Sequence, residues 1–125
     1  MKVNRREVYD KCNGHCGYCG RTLEFKRMQV DHLHPRFLSH FYPDLDENRI
    51  ENLLPTCAKC NNHKSAYRLE EWRKELSFQV SMLRKSAQFD RALRFGQVEV
   101  KETPIVFYFE TTGNIHNADS EKKGV

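Results

Sequence analysis

The sequence predicts a small α+β fold, and three observations lead to this prediction. Two C-x-x-C pairs enclose a long insertion. A β-rich run, residues 28–33, lies inside that insertion. Behind the second pair, apolar residues recur at three- and four-residue steps over 66–76, the spacing of one helix face. A chain of 125 residues fits one domain, and a domain of this size profits from a metal cross-link.

The first half of the chain predicts a helix, a strand and a returning segment. Residues 1–11 are charged and predict a short helix that ends before Gly14. The strand over 28–33 follows, and residues 37–48 predict a loop because they mix aromatic, acidic and proline residues. Residues 50–55 then bring the chain back to the second C-x-x-C pair.

The second half predicts helices followed by strands. A helical pattern begins at Asn61, and a second helix is predicted over 78–95, where Gly96 stops it. Residues 97–110 contain two β-rich runs split by a proline, which predict a short β-hairpin or two edge strands. Residues 111–125 are polar and predict a disordered tail.

We therefore predict a single domain over 1–110, with a core at 12–76 and the C-terminal helix and strands at 77–110. The net charge of +4 permits a polyanionic partner without demanding one. No apolar run approaches the ~20 residues that span a bilayer, and residues 1–9 are too polar for a secretory signal. We expect a cytoplasmic protein, in a prokaryotic cell or a phage-infected host, without a membrane partner.

The paired cysteines predict a structural zinc site. A two-residue gap lets both sulfurs of a pair reach one ion, and four thiolates complete the tetrahedron that zinc prefers. The expected ligands are Cys16, Cys19, Cys57 and Cys60. Disulfides or a redox role are the alternative, which two matched pairs in a reducing compartment disfavour. The fifth cysteine, Cys12, is expected to be a buried free thiol rather than a competing ligand.

A second set of residues suits a different ion. Asp31 offers a charged oxygen and Asn61 a neutral one, and both suit Mg²⁺ or Mn²⁺ better than zinc. His32 can accept a proton from water near neutral pH. Because consecutive residues on a flat strand point to opposite faces, Asp31 and His32 share a site only if the chain bends or bulges there.

The order of these motifs resembles the HNH endonuclease family. The run C-x-x-C, V-D-H-x-x-P, E-N-L and C-x-x-C-N-x-x-K occupies residues 16–65. The resemblance implies a treble-clef zinc core that carries a ββα-metal nuclease motif. Residues outside this run match no pattern that we can name.

The resemblance also implies roles for particular residues. Asp31 would be the first ligand of the catalytic ion and His32 the general base. Asn52 would brace the loop that carries the base. Asn61 would be the second ligand, and His63 would share or replace that role. Lys64 resembles the family's lysine near the DNA phosphates. Apart from the resemblance, Arg68 is expected on the same helix face as Lys64, four residues on, and His34 and Arg36 are the other expected nucleic-acid contacts.

The implied function is metal-dependent hydrolysis of phosphodiester bonds in DNA, by nicking or cutting, with one Mg²⁺ or Mn²⁺ and a histidine base. RNA stays open as a substrate, and a homodimer or a larger complex would supply specificity. The alternative is a non-catalytic treble-clef zinc module that binds nucleic acid or protein. A zinc-bearing redox protein ranks below both.

Overall fold

The computed structural model describes residues 3–34 and 48–112. These residues belong to two compact units. Residues up to Leu69 form the first unit together with those from Val106 onward, and Glu70–Ile105 form the second. Within the described residues, no helix has the length and apolar character needed to cross a membrane.

The described residues form short helices and one pair of strands, which confirms the α+β prediction. In chain order these are α1 (Arg5–Lys11), β1 (Gln29–His32), β2 (Leu53–Thr56), α2 (Ala58–Lys64), α3 (Leu69–Leu76), α4 (Gln79–Leu83), α5 (Ala87–Arg94) and α6 (Tyr108–Thr112). Two 3₁₀ turns, Phe25–Arg27 and Ile50–Asn52, precede β1 and β2.

The N-terminal helix is shorter than predicted at its start, and its end is as predicted. Asn4 caps α1 by accepting a hydrogen bond from the backbone N–H of Glu7. Val8 is the buried residue of α1 and belongs to the core. The helix ends before Asn13 and Gly14, which take positive φ angles of 53° and 80°.

The two strands pair as an antiparallel hairpin, which confirms the predicted strand over 28–33. Gln29 pairs with Thr56 and His32 with Leu53, and the register is continuous between them. Helix α2 packs against β1, and α1 packs against β2. The buried core that these elements share contains Val8, Leu23, Met28 and Leu53.

The segment 97–110 is not a hairpin, so the prediction of strands there was wrong. Within the described residues, 97–107 contain no strand, and α6 begins at Tyr108. The backbone N–H groups of Tyr108 and Phe109 donate to Tyr18 and Gly17, at 3.0 and 2.8 Å. These donors are therefore used on the first cysteine pair and are not free for strand pairing.

Both predicted long helices are interrupted. The first begins earlier than predicted, at Ala58, and α2 ends before Ser65, whose φ angle is 48°. The second is divided into α4 and α5, and the Ser86 hydroxyl caps α5 by accepting from the N–H of Phe89. Serine competes for the backbone in this way, and apolar periodicity does not detect the break.

Candidate active site

The four predicted zinc ligands lie together. Their sulfur atoms all lie within 4.8 Å of one another. A tetrahedron with Zn–S bonds of ~2.3 Å has edges of ~3.8 Å, and the sulfurs of Cys19 and Cys57 are 3.9 Å apart. The four side chains are therefore placed to hold a zinc ion. Cys57 immediately precedes α2, so an ion at this cluster would join the first cysteine pair to the start of that helix.

Hydrogen bonds around the cluster favour the ligand form of one cysteine. The Cys60 side chain bonds to Cys16 and lowers the pKa of the Cys16 thiol to about 4, although burial opposes the shift. The backbone N–H of Cys57 also donates to the Cys16 sulfur, at 3.3 Å. The bond between the Cys60 and Cys16 side chains raises the pKa of the Cys60 thiol, because the shared proton stays on the Cys60 sulfur. Zinc would bind Cys60 by displacing that proton.

Cys12 lies outside the cluster and is fully buried. Burial raises the pKa of its thiol to about 11. The expectation of a buried free thiol is therefore confirmed, and the residue is protonated at neutral pH.

The candidate metal ligand Asp31 is buried and held by two donors. It is 8% exposed. Its Oδ2 accepts a hydrogen bond from the Tyr18 hydroxyl at 2.6 Å and lies 3.0 Å from the ammonium of Lys64. Burial raises the pKa of Tyr18, and the charge of Asp31 raises it further, so the phenol stays a donor. Lys64 also donates to the backbone oxygen of His32, at 3.1 Å.

Asn61 faces the same strand as Lys64. Its Nδ2 donates to Oε1 of Gln29, at 2.6 Å. Gln29 and Asp31 are two residues apart on β1, so their side chains share one face of the strand. The structure therefore brings Asp31 and Asn61 to the same boundary, between β1 and α2.

The imidazole of His32 is not beside Asp31. The expected bend or bulge is absent, because β1 keeps its register through His32. The ring instead bonds to Asn48, with Nε2 and Oδ1 2.9 Å apart. With the Asn48 oxygen as the acceptor, Nε2 would be the donor, which would leave Nδ1 as the accepting nitrogen.

Asn52 is buried, and its side chain contacts the segment that follows β1. Its Oδ1 accepts from the backbone N–H of His34 at 2.8 Å, and its Nδ2 donates to the His34 oxygen at 3.4 Å. The N–H of Leu33 donates to the Asn52 backbone oxygen at 2.9 Å. These three bonds hold the backbone of the two residues directly after His32.

The predicted phosphate contacts are scattered. Lys64 is fully buried and paired with Asp31, so it does not lie at the surface, where a nucleic-acid contact was expected. Lys64 and Arg68 do not share a helix face, because α2 ends between them. His34 and Arg68 are exposed, and Arg36 lies outside the described residues.

His63 is exposed as well. It follows Asn61 by two positions on α2, which turns its side chain by about 200° from that of Asn61. Within the described residues, the four cysteines are the only group of three or more His, Cys, Asp or Glu side chains placed to hold an ion.

Sequence reasoning missed several residues that support this site. Tyr18, Gln29 and Asn48 bond directly to the candidate residues. Lys11 donates to the backbone oxygens of Ile50, at 2.8 Å, and of Leu53, on either side of Asn52. Only Gln29 could have been found from the sequence, because it lies two residues before Asp31 on a predicted strand.

Comparisons with known proteins find one family match and two similar proteins. Residues 16–66 match the sequence model of the HNH endonuclease family. The CRISPR-associated endonuclease Cas9 of Corynebacterium diphtheriae is 26% identical over 87 residues, which are 70% of this chain and 8% of that protein. The crystal structure of the Type II-C Cas9 enzyme from Actinomyces naeslundii aligns over 58% of this chain and 7% of that chain, with 27% identity and a TM-score of 0.47.

This family match confirms the resemblance of residues 16–66 to HNH endonucleases that the motifs predicted. The chain spans less than a tenth of the length of the curated relative that it matches.

Proposed function

We propose that this chain is a metal-dependent nuclease that hydrolyses phosphodiester bonds in DNA. The observation that carries the proposal is the position of Asp31 and Asn61 at one strand–helix boundary, where Asn61 directly follows Cys60 of the four-cysteine cluster. Both side chains offer oxygen, which Mg²⁺ and Mn²⁺ prefer. The family match of residues 16–66 supports the same class of reaction.

Asp31 and Asn61 would hold the catalytic ion, which when bound supplies charge neutralisation at the scissile phosphate and its departing oxygen. Two protein ligands suffice for such an ion, because Mg²⁺ commonly keeps several waters and is completed by substrate phosphates. The exposure of His63 on another side of α2 favours Asn61 as the second ligand.

His32 would act as the general base through Nδ1. In-line displacement places the attacking water opposite the departing oxygen, so the base need not touch the groups that hold the ion. The condition stated from the sequence, that Asp31 and His32 share a site only at a bend, is therefore too strict, because the ion and the base can act from opposite sides of one phosphate. Asn48 holds the Nε2 proton, and Asn52 holds the backbone just after the ring, so both would orient His32. A positioned base typically contributes ~10²–10⁴-fold.

The non-catalytic zinc module remains the second candidate, and one observation favours it. Lys64 already neutralises Asp31 inside the protein, as a purely structural ion pair would. A binding module needs no base, and it would tolerate the loss of His32 without any change in its activity.

Supercoiled plasmid mixed with the zinc-loaded protein separates the two candidates. We expect nicking or cutting with Mg²⁺ or Mn²⁺, none with a chelator, and none with Asp31→Asn. Asp90→Asn is the matched control, since among the residues that the structure describes the half-exposed Asp90 side chain pairs with Arg94 and not with the site. An intact plasmid under every metal would favour the binding module. Equal cleavage by Asp31→Asn would show that Asp31 holds no catalytic ion.

The predicted single domain over 1–110 also stays part of the proposal. So does dependence on a homodimer or on a larger complex for specificity. The share of the relative that this chain spans is consistent with a nuclease segment that works inside a longer protein.

A further inference from the structure

Tyr18 connects the zinc cluster to the candidate catalytic carboxylate. It lies between the two ligands of the first cysteine pair, Cys16 and Cys19. Its hydroxyl donates to Oδ2 of Asp31 at 2.6 Å. Tyr18 itself is 3% exposed, so water does not compete freely for this bond.

The position of the Tyr18 ring is fixed by residues far along the chain. Phe107 contacts it edge to face, with ring centroids 5.3 Å apart, and Phe109 lies 6.3 Å away. The backbone N–H of Tyr108 donates to the backbone oxygen of Tyr18 at 3.0 Å. The backbone of Tyr18 is therefore held within the cysteine pair, and its ring is held by contacts with the segment 107–109. This segment lies beyond the matched family domain.

The two oxygens of Asp31 have different environments. Oδ2 accepts from Tyr18 and pairs with Lys64. Among the described residues, none donates a hydrogen bond to Oδ1. The side-chain amide of Asn61, on the α2 side of the boundary, is similar. Its Nδ2 donates to Gln29, and among the described residues none donates to its oxygen.

We propose that Tyr18 is a positioning residue, which together with Lys64 holds Oδ2 of Asp31 so that Oδ1 faces the divalent ion as a single ligand atom. This inference rests on the proposed function. It adds that the zinc cluster and the segment 107–109 set the geometry of the catalytic ion through one phenol. Groups that orient a metal ligand typically contribute 10–100-fold to metal affinity.

Mn²⁺ binding to the zinc-loaded protein, followed by electron paramagnetic resonance, tests this role without any cleavage. Tyr18→Phe keeps the ring contacts and removes only the hydroxyl. We expect it to raise the Kd for Mn²⁺ by about 10–100-fold while zinc stays at one per chain. Tyr9→Phe is the matched control, because the Tyr9 hydroxyl donates to the Leu23 oxygen, away from Asp31. It should leave the Kd for Mn²⁺ unchanged.

The outcomes distinguish this inference from the proposed function. If Asp31→Asn loses Mn²⁺ but Tyr18→Phe binds it as the parent does, the role of Tyr18 is overturned and the metal site stands. If the parent binds no Mn²⁺, or if Asp31→Asn binds it normally, the proposed function fails and takes this inference with it.

A second measurement avoids any dependence on a variant that folds. In a Mg²⁺ titration of the parent followed by NMR, the ring signals of Tyr18 should shift with the binding curve of the ion. Those of Tyr9 should stay in place. Unchanged Tyr18 signals at saturating Mg²⁺ would overturn the inference.

Discussion

The buried Lys64 neutralises Asp31, the carboxylate proposed to hold the catalytic ion. The Lys64 side chain is fully buried and that of Asp31 is 10% exposed, so their interaction is little screened by water. The pair holds the Asp31 carboxylate in place before an ion arrives. Binding of a divalent ion then adds a second cation next to an existing one, which limits its affinity.

Loss of this lysine should destabilise the fold. Lys64→Met leaves a buried carboxylate without its cation, which typically costs about 3–5 kcal/mol of unfolding free energy. Urea denaturation of the zinc-loaded protein measures the change. In the background of Asp31→Asn, the same substitution should cost much less, since no charge is left unpaired. Equal costs in both backgrounds would show that the two residues are energetically independent.

The buried thiol of Cys12 should be unreactive in the folded protein. Burial raises its pKa to about 11, so little thiolate is present at pH 8. Mass spectrometry after iodoacetamide treatment should find Cys12 unmodified in the native chain and modified in urea. Rapid native labelling at pH 8 would contradict the burial.

The same shift gives a pH dependence with a definite sign. The folded chain raises the pKa of Cys12 above its ordinary value of 9.0. The contribution to stability is therefore complete below pH 9 and is lost as the pH rises towards 11. Relative to Cys12→Ala, the parent should lose stability over that range.

At the level of elements, the first cysteine pair packs directly on β2. The N–H of Gly17 donates to the Pro55 oxygen at 2.7 Å, and Leu54 beside it is fully buried. A Cβ at Gly17 would lie 2.5 Å from Cγ of Leu54. Contact this close leaves no room for any side chain at that position.

Gly17→Ala should therefore displace the first cysteine pair from β2 and weaken zinc binding. We expect a faster loss of zinc to a chelator, monitored with a colorimetric zinc indicator, and a lower Tm. Leu54→Ala in the same chain removes the atoms that clash and should recover part of the zinc retention. A Gly17→Ala protein that holds zinc as firmly as the parent would show that β2 does not support the cluster.

The elements that carry the site were predictable from local sequence. Cysteine spacing predicts the zinc cluster because the chemistry of one ion dictates it, and β-rich composition predicts the strand over 28–33. The C-terminal elements were not predictable in this way. The runs before α6 have strand composition, but the chain uses Tyr108 and Phe109 to close over the first cysteine pair, which is a long-range contact.

The candidate site shows the same division. Motif order places Asp31, His32 and Asn61 in the sequence, yet it does not reveal that Lys64 is buried against Asp31 or that His32 bonds to Asn48. These bonds depend on how helix and strand meet in space. The sequence predicted a surface contact for Lys64, because lysine is rarely buried unless it is paired and the sequence does not show its pairing with Asp31.

At the scale of the whole molecule, the second unit differs in character from the unit that carries the site. Neither α4 nor α5 contains a buried residue. Large apolar side chains are exposed in this unit, among them those of Phe78, Met82 and Phe95.

Single-turnover cleavage of a short labelled duplex measures whether the zinc-loaded protein cleaves DNA with His32 as its base. At saturating Mg²⁺ and protein, His32→Ala should lower the cleavage rate by at least ~10²-fold. Zinc content and DNA affinity should match those of the parent. A His32→Ala protein that cleaves the duplex at the parental rate would show that His32 is not the general base.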